Sequence, residues 1–160
     1  MNIEVAKSDL EVALKVASTT VGSGSDLSSH YLFRYRDGQA EVLSYDMRVF
    51  SRAPFTATVE GDDDAAFTVE AWRLDKWISS VGDGVLTLTC DDQGQVTAKG
   101  PRSKVKLRSL DASRFPYWDG LMAEAEDVAH LVGDRRLKVE ALDAGQHGAP
   151  VHNRRHDEAE

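Results

Sequence analysis

The chain has 160 residues and a formal net charge of −8, from 19 Lys and Arg against 27 Asp and Glu. Hydrophobic residues make up 41 %, yet no apolar run reaches the roughly 18 residues that a membrane-spanning helix needs, so a folded domain without such a helix is expected. One cysteine, Cys90, excludes an intramolecular disulfide framework and fits a reducing, cytoplasmic setting, while the acidic balance excludes a simple basic glove for nucleic acid. The opening Met1-Asn2-Ile3-Glu4 has no basic segment before an apolar core and does not read as a secretory signal.

The elements repeat along the chain. A short strand at Asn2–Val5 turns into a helix whose start, Ser8-Asp9-Leu10-Glu11, has the form of a capping box. Leu10, Ala13, Leu14 and Ala17 give that helix one apolar stripe. Three strands are predicted next: Tyr31–Arg36, Gln39–Ser44 and the long segment Val49–Glu60. Asp37-Gly38 is a two-residue hairpin signal, and Pro54 marks its strand as edge, bulged or broken. The pattern then begins again. A strand at Ala66–Val69 leads into a helix with Leu74, Trp77, Ile78 and Val81 on one side. Strands Val85–Cys90, Gln95–Lys99 and Lys104–Leu110 follow, with turns at Asp92-Gln93-Gly94 and Lys99-Gly100-Pro101. Val5 and Val69, Leu10 and Leu74, and Leu14 and Ile78 keep a constant offset of 64 residues. Gly22 and Gly82 follow the two helices as terminators or loop residues. Two strand–helix–three-strand units predict an α+β domain, pseudo-symmetric, with two helices packed on antiparallel sheets.

The charge divides unevenly. Residues 1–120 carry 14 basic and 18 acidic side chains; residues 121–160 carry 5 and 9. The expected organisation is a domain over 1–120 and an acidic extension over 121–160. That extension has a possible short helix at 121–132, marked by Leu121, Ala125, Val128 and Leu131, before a solvated tail.

Together these segments resemble the N-terminal domain of the bacterial DNA polymerase III beta subunit, the DNA sliding clamp. The resemblance rests on the opening Met1-Asn2-Ile3-Glu4-Val5 with Leu10, Leu14 and Val16-Ala17-Ser18, and on Leu43-Ser44-Tyr45-Asp46-Met47-Arg48-Val49 between strands. It also rests on Arg102-Ser103-Lys104-Val105-Lys106-Leu107-Arg108-Ser109-Leu110 followed by Phe115-Pro116. It covers about residues 1–118. Clamp chains of this family carry three such domains and pair into a ring of six, whereas this chain carries one. Arg114 stands where the family usually has an acidic residue, and Asp111 where it commonly has proline.

The resemblance implies a non-catalytic processivity factor in DNA replication, which encircles duplex DNA as an oligomer and tethers a polymerase. The alternative is a clamp-fold interaction protein that binds or regulates a replication clamp without encircling DNA. In the family the helices line the hole, which makes Lys7, Lys15, Arg73 and Lys76 the DNA-facing cations. They share their helices with Asp9, Glu11, Glu70 and Asp75, and Glu11 and Lys15 are spaced for an i,i+4 pair. The family's edge strand implies a subunit contact along Lys104, Val105, Lys106, Leu107 and Arg108, whose lysines equally suit an edge protected against aggregation. Implied partners are double-stranded DNA bound without sequence preference, a second copy or another clamp subunit, a DNA polymerase and a clamp loader. No membrane, metal or cofactor is implied.

Other chemistries carry weaker signals. His147, His152 and His156 approach metal-ligand spacing in a segment that otherwise reads as solvated. Asp62-Asp63-Asp64 reads as a loop charge run, and Cys90 as a structural thiol on a strand. Of three tryptophans, Trp77 falls on a helix stripe and is expected in the core. Trp118 is expected to close the domain, and Trp72 is open between packing and base stacking.

Overall fold

Each half of the chain starts with a strand that runs straight into a helix. In the computed structural model, which describes residues 1–24 and 26–116, β1 (Asn2–Ala6) passes without a loop into α1 (Lys7–Ala17). Likewise β6 (Ala66–Glu70) passes into α2 (Ala71–Ser80). The buried residues of α1 are Leu10, Ala13, Leu14 and Ala17, and those of α2 are Ala71, Leu74, Trp77 and Ile78, with Val81 buried just beyond. Both stripes are those the apolar spacing predicts.

The expected capping box does not form. α1 begins one residue earlier, at Lys7, and makes no side-chain cap, which leaves Ser8 inside the first turn. The strand-to-helix junction serves the free amide in another way: the Lys7 amide donates to the Gly84 carbonyl at 2.9 Å. At the other end of α1, a trio of hydroxyls, two of them buried, closes the helix. Ser44 donates to the Ala17 carbonyl at 2.6 Å, and Thr20, Ser44 and Ser51 lie within 2.7 Å of one another.

β2 (His30–Arg36) and β3 (Gln39–Tyr45) form the expected hairpin. Asp37 and Gly38 take φ of 50° and 76°, the left-handed pair that a tight primed turn requires. The segment expected as one strand over 49–60 is two: β4 (Phe50–Phe55) and β5 (Thr58–Glu60). The chain breaks at Thr56-Ala57 because the two pieces join different sheets. Pro54 lies within β4, an edge strand, where its missing amide removes no ladder bond. β7 (Val85–Cys90), β8 (Val96–Lys99) and β9 (Lys104–Leu107) complete the second half. β9 stops three residues short of the expected Leu110, because 108–110 crosses to β6. There the Glu70 amide donates to the Arg108 carbonyl at 3.3 Å, and the Leu110 amide donates to the Thr68 hydroxyl at 2.7 Å.

The sheets are antiparallel, with strand orders β5-β1-β7-β8-β9 and β4-β3-β2-β6. The halves therefore exchange their first strands. β1 pairs with β7 of the second half, and β6 pairs with β2 of the first. Segment 108–110 lies beside β6 much as β5 lies beside β1. One apolar core joins both sheets and both helices, with Ile3, Leu10, Tyr31, Phe33, Leu74, Leu86 and Leu88 each essentially without exposure. Residues Met1–Phe115 form one compact unit.

β3 is buried on both faces. Ala40, Val42 and Ser44 face the core. On the outer side Leu43 and Tyr45 are also buried, with Tyr45 stacked on Phe50 and edge-on to Phe115 at 5.0 Å. Next to Leu43 on the same face sits Glu41, 1 % exposed, whose Oε1 accepts from both Nε and Nη2 of Arg34 at 2.6 Å. Its other oxygen accepts from Arg52 Nε on β4. The charge run 62–64 closes the hairpin end: Asp63 accepts from the Asp37 amide at 2.8 Å, and Asp64 pairs with Arg36 at 3.3 Å. The expected helix at 121–132, the rest of the 121–160 extension, Trp118 and the three tail histidines all lie outside the described residues.

Candidate nucleic-acid interface

α1 lies over β3 and β4, and α2 contacts β6 and β9. The two helices run side by side and enclose a shallow groove of about 220 Å³. Glu11, Leu14, Lys15 and Ser18 of α1 line it, facing Asp75, Ile78 and Ser79 of α2. At helical spacing this leaves Ser8, Val12 and Lys15 outward on α1, and Trp72, Lys76 and Ser79 outward on α2. Asp9 and Val16 lie on the far flank of α1, and Arg73 and Ser80 on the far flank of α2.

The four helix cations meet different fates. Lys7 is drawn into the fold: its side chain is 13 % exposed and its Nζ donates to the Val81 carbonyl at 2.8 Å. The same amine pairs with Glu11 at 3.5 Å and Asp83 at 3.6 Å. The pair expected between Glu11 and Lys15 is thus replaced by one between Glu11 and Lys7, one turn earlier. Lys7 ties the start of α1 to the end of α2. Lys15 and Lys76 are exposed and make no ion pair among the described residues. Arg73 is half exposed, pairs with Glu70 at 3.2 Å and lies 5.3 Å from the centre of the Trp72 ring.

Negative charge in the groove is muted. Asp75 accepts the Tyr31 hydroxyl through both oxygens, at 2.8 and 3.1 Å. Burial pushes the Asp75 carboxyl above the usual carboxylate range, and burial beside that carboxylate pushes the Tyr31 hydroxyl up as well. The free cations on the outward face are therefore Lys15 and Lys76, which suit phosphates and carry no means of reading bases.

The expected subunit strand is an open edge. β9 pairs only with β8 among the described residues. Leu107 is buried and Val105 half-buried toward the core, while Lys104 and Lys106 are exposed on the outer face. Arg108 is exposed and lies beyond the ladder, on the crossing to β6. β4, an edge strand of the other sheet, is the pseudo-symmetric counterpart of β9. Val16 and Val12 of α1 stay 46 % and 70 % exposed, on a helix that packs over β4.

Trp77 is buried, and its indole N–H donates to Ser103 at 2.8 Å. Cys90 is half-buried at the end of β7, and burial pushes its thiol up. Among the described residues no three His, Cys, Asp or Glu side chains gather as metal ligands, and no helix is long and apolar enough to cross a membrane. The sequence reading missed Glu41, Val12 and Val16. The Asp37-Gly38 turn alone sets Arg34 opposite Glu41, so that pair was within reach.

No protein-family model matches the chain, and no curated protein matches it. Solved structures do. The chain is similar to Caulobacter crescentus pol III beta, with a TM-score of 0.65 and 20 % identity over 73 % of this chain. It is equally similar to a Helicobacter pylori beta clamp bound to a DNA ligase peptide, with a TM-score of 0.65 and 24 % identity over 74 %. The beta subunit of Thermotoga maritima DNA polymerase III gives a TM-score of 0.64 and 19 % identity over 72 %. In each case the match spans 32 % of the clamp chain. Residues 1–116 have the fold of one domain of a bacterial DNA polymerase III beta subunit, the sliding clamp.

Proposed function

We propose that the chain is a sliding-clamp-type processivity factor that joins head to tail with copies of itself or with another clamp subunit. The closed ring holds duplex DNA without sequence preference and tethers a DNA polymerase placed there by a clamp loader. One observation carries this reading: the two halves leave open edges, β4 and β9, on different sheets of one domain. A heterologous contact between unlike edges propagates and closes when its rotation permits. A ring of the family's size needs about six such domains, from copies of this chain or from another clamp subunit.

Lys15 and Lys76, with Arg73 beside them, are the proposed phosphate contacts. Lys7 supports them by locking the helices together. A near-neutral helix face suits the task, since topology rather than affinity retains the DNA. The proposed subunit contact runs along Lys104, Val105, Lys106 and Leu107, with Arg108 at its end. It meets β4 of the next copy, where Val16 supplies apolar surface. The chain needs no catalytic residue for this role.

The test combines light scattering with retention on DNA. A ring gives a solution mass near six chains and is retained on circular duplex but released when the circle is cut. A monomer at tens of micromolar with no retention on circles would sink the ring. Binding to a full-length clamp without stimulating synthesis would assign the chain to clamp regulation instead.

A further inference from the structure

Trp72 is the one tryptophan of the described residues held in water, at 56 % exposure. Its side chain is tied back to the end of β6. Its indole N–H donates to Glu70 Oε1 at 2.6 Å, while Arg73 Nε sits 3.2 Å from Glu70 Oε2. The guanidinium lies 5.3 Å from the ring centre. Glu70 thus anchors both neighbours, and its two oxygens are occupied by them. A large apolar ring fixed this way gives up little side-chain entropy when something stacks on it. Lys76 stands one helical turn further along the same outward face and makes no ion pair among the described residues.

We propose that Trp72 is a stacking platform for an unpaired nucleobase, with Lys76 taking the adjoining phosphate, so that this face binds single-stranded DNA as well as duplex. The proposal rests on the reading of the helix face as the DNA side. A flat aromatic ring flanked by cations is the combination that binds single strands, because every base offers a π-face and the backbone offers charge. Duplex DNA gives such a ring nothing, since its bases are already stacked and paired. The ring is therefore matched to a single-stranded stretch beside a duplex.

The test uses the full chain, with a labelled oligo-dT strand and a blunt duplex of the same length at low salt. Wild type, W72A and W72F are compared. Stacking predicts that W72A weakens oligo-dT binding by about fivefold to a hundredfold, that W72F recovers much of the loss, and that duplex affinity stays where it was. Wild-type emission is quenched by oligo-dT, and the quenching drops in W72F. Equal affinity of W72A and wild type for oligo-dT overturns the proposal, as does an equal loss on both ligands. Quenching that follows protein concentration rather than DNA assigns the ring to a subunit contact and also overturns it. Retention on circular duplex is scored separately: if it persists while Trp72 plays no part in single-strand binding, only this inference falls, and if wild type is not retained, the clamp reading falls.

Discussion

Replacing Glu41 with Gln tests whether the outer face of the β4-β3-β2-β6 sheet depends on one carboxylate. Glu41 is 1 % exposed and accepts from two nitrogens of Arg34, whose side chain is 12 % exposed, and from Arg52, whose side chain is 46 % exposed. Removing one member of a buried ion pair costs about 3–5 kcal/mol, because the remaining charge stays desolvated. Arg52 reaches water and its share is screened, so Arg34 dominates the loss. The expected cost is about 3 kcal/mol, toward the low end of that range. For a domain of this size that lowers the melting temperature by roughly 10 °C. Urea unfolding, followed by the emission of the buried Trp77, measures it directly. Added salt should restore little, since the pair is shielded from ions. A triple replacement of Arg34, Glu41 and Arg52 by apolar residues of similar volume should cost far less than Glu41→Gln alone. A Glu41→Gln midpoint within error of wild type would refute the reasoning.

Other outcomes follow from the same geometry. Lys7→Met should lower stability by about 1 kcal/mol by leaving the Val81 carbonyl without its donor, as read from urea midpoints, with little added by the solvent-exposed Glu11 and Asp83 carboxylates. Charge reversal at Lys15 and Lys76 should leave those midpoints unchanged, weaken equilibrium binding to a short linear duplex and flatten its salt dependence by about one unit per lysine. Val16→Asp should lower the solution mass without lowering the melting temperature, because the valine is already 46 % exposed and belongs to the helix that packs over the β4 edge strand. His30 is buried, its Nε2 has no hydrogen-bond partner among the described residues, and burial holds its pKa below the ordinary value despite Asp26 and Glu70 nearby, with Arg108 acting the same way as burial. A histidine depressed in the fold takes up its proton more readily unfolded. Stability is then complete above about pH 6.5 and falls as pH drops below that value. His30→Gln should flatten the pH dependence of the unfolding midpoint between neutrality and mild acid.

Local signals carried the helices and most strands. The stripes Leu10-Ala13-Leu14-Ala17 and Leu74-Trp77-Ile78-Val81 follow from the period of the helix, and the Asp37-Gly38 turn from the φ its residues tolerate. What no local signal carries is the partner of a strand. β1 and β6 look like the first strands of their own halves, yet each pairs in the sheet of the other, a choice made by contacts far apart in sequence. The break after Phe55 follows from the same cause, since the chain must leave one sheet to reach β1. Ser8 matched the capping pattern, but the continuous strand-to-helix path gave the amide of Lys7 another acceptor. Of the helix cations, charge alone did not separate Lys15 and Lys76 from Lys7. The backbone carbonyl of Val81 did, and its position depends on how the two helices dock.

The exchange of first strands also bears on how the chain is made. Asn2 pairs with Thr89, so β1 leaves the ribosome long before its central neighbour exists. β5 emerges first and can hold β1 along Asn2, Ile3 and Glu4, but β7, β8 and β9 must follow before that sheet is complete. Pairings of such sequence separation raise contact order and slow folding toward the millisecond-to-second range. Neither half makes an independent folding unit, and a chain cut between them at 61–65 would have to reassemble by trading strands across the break.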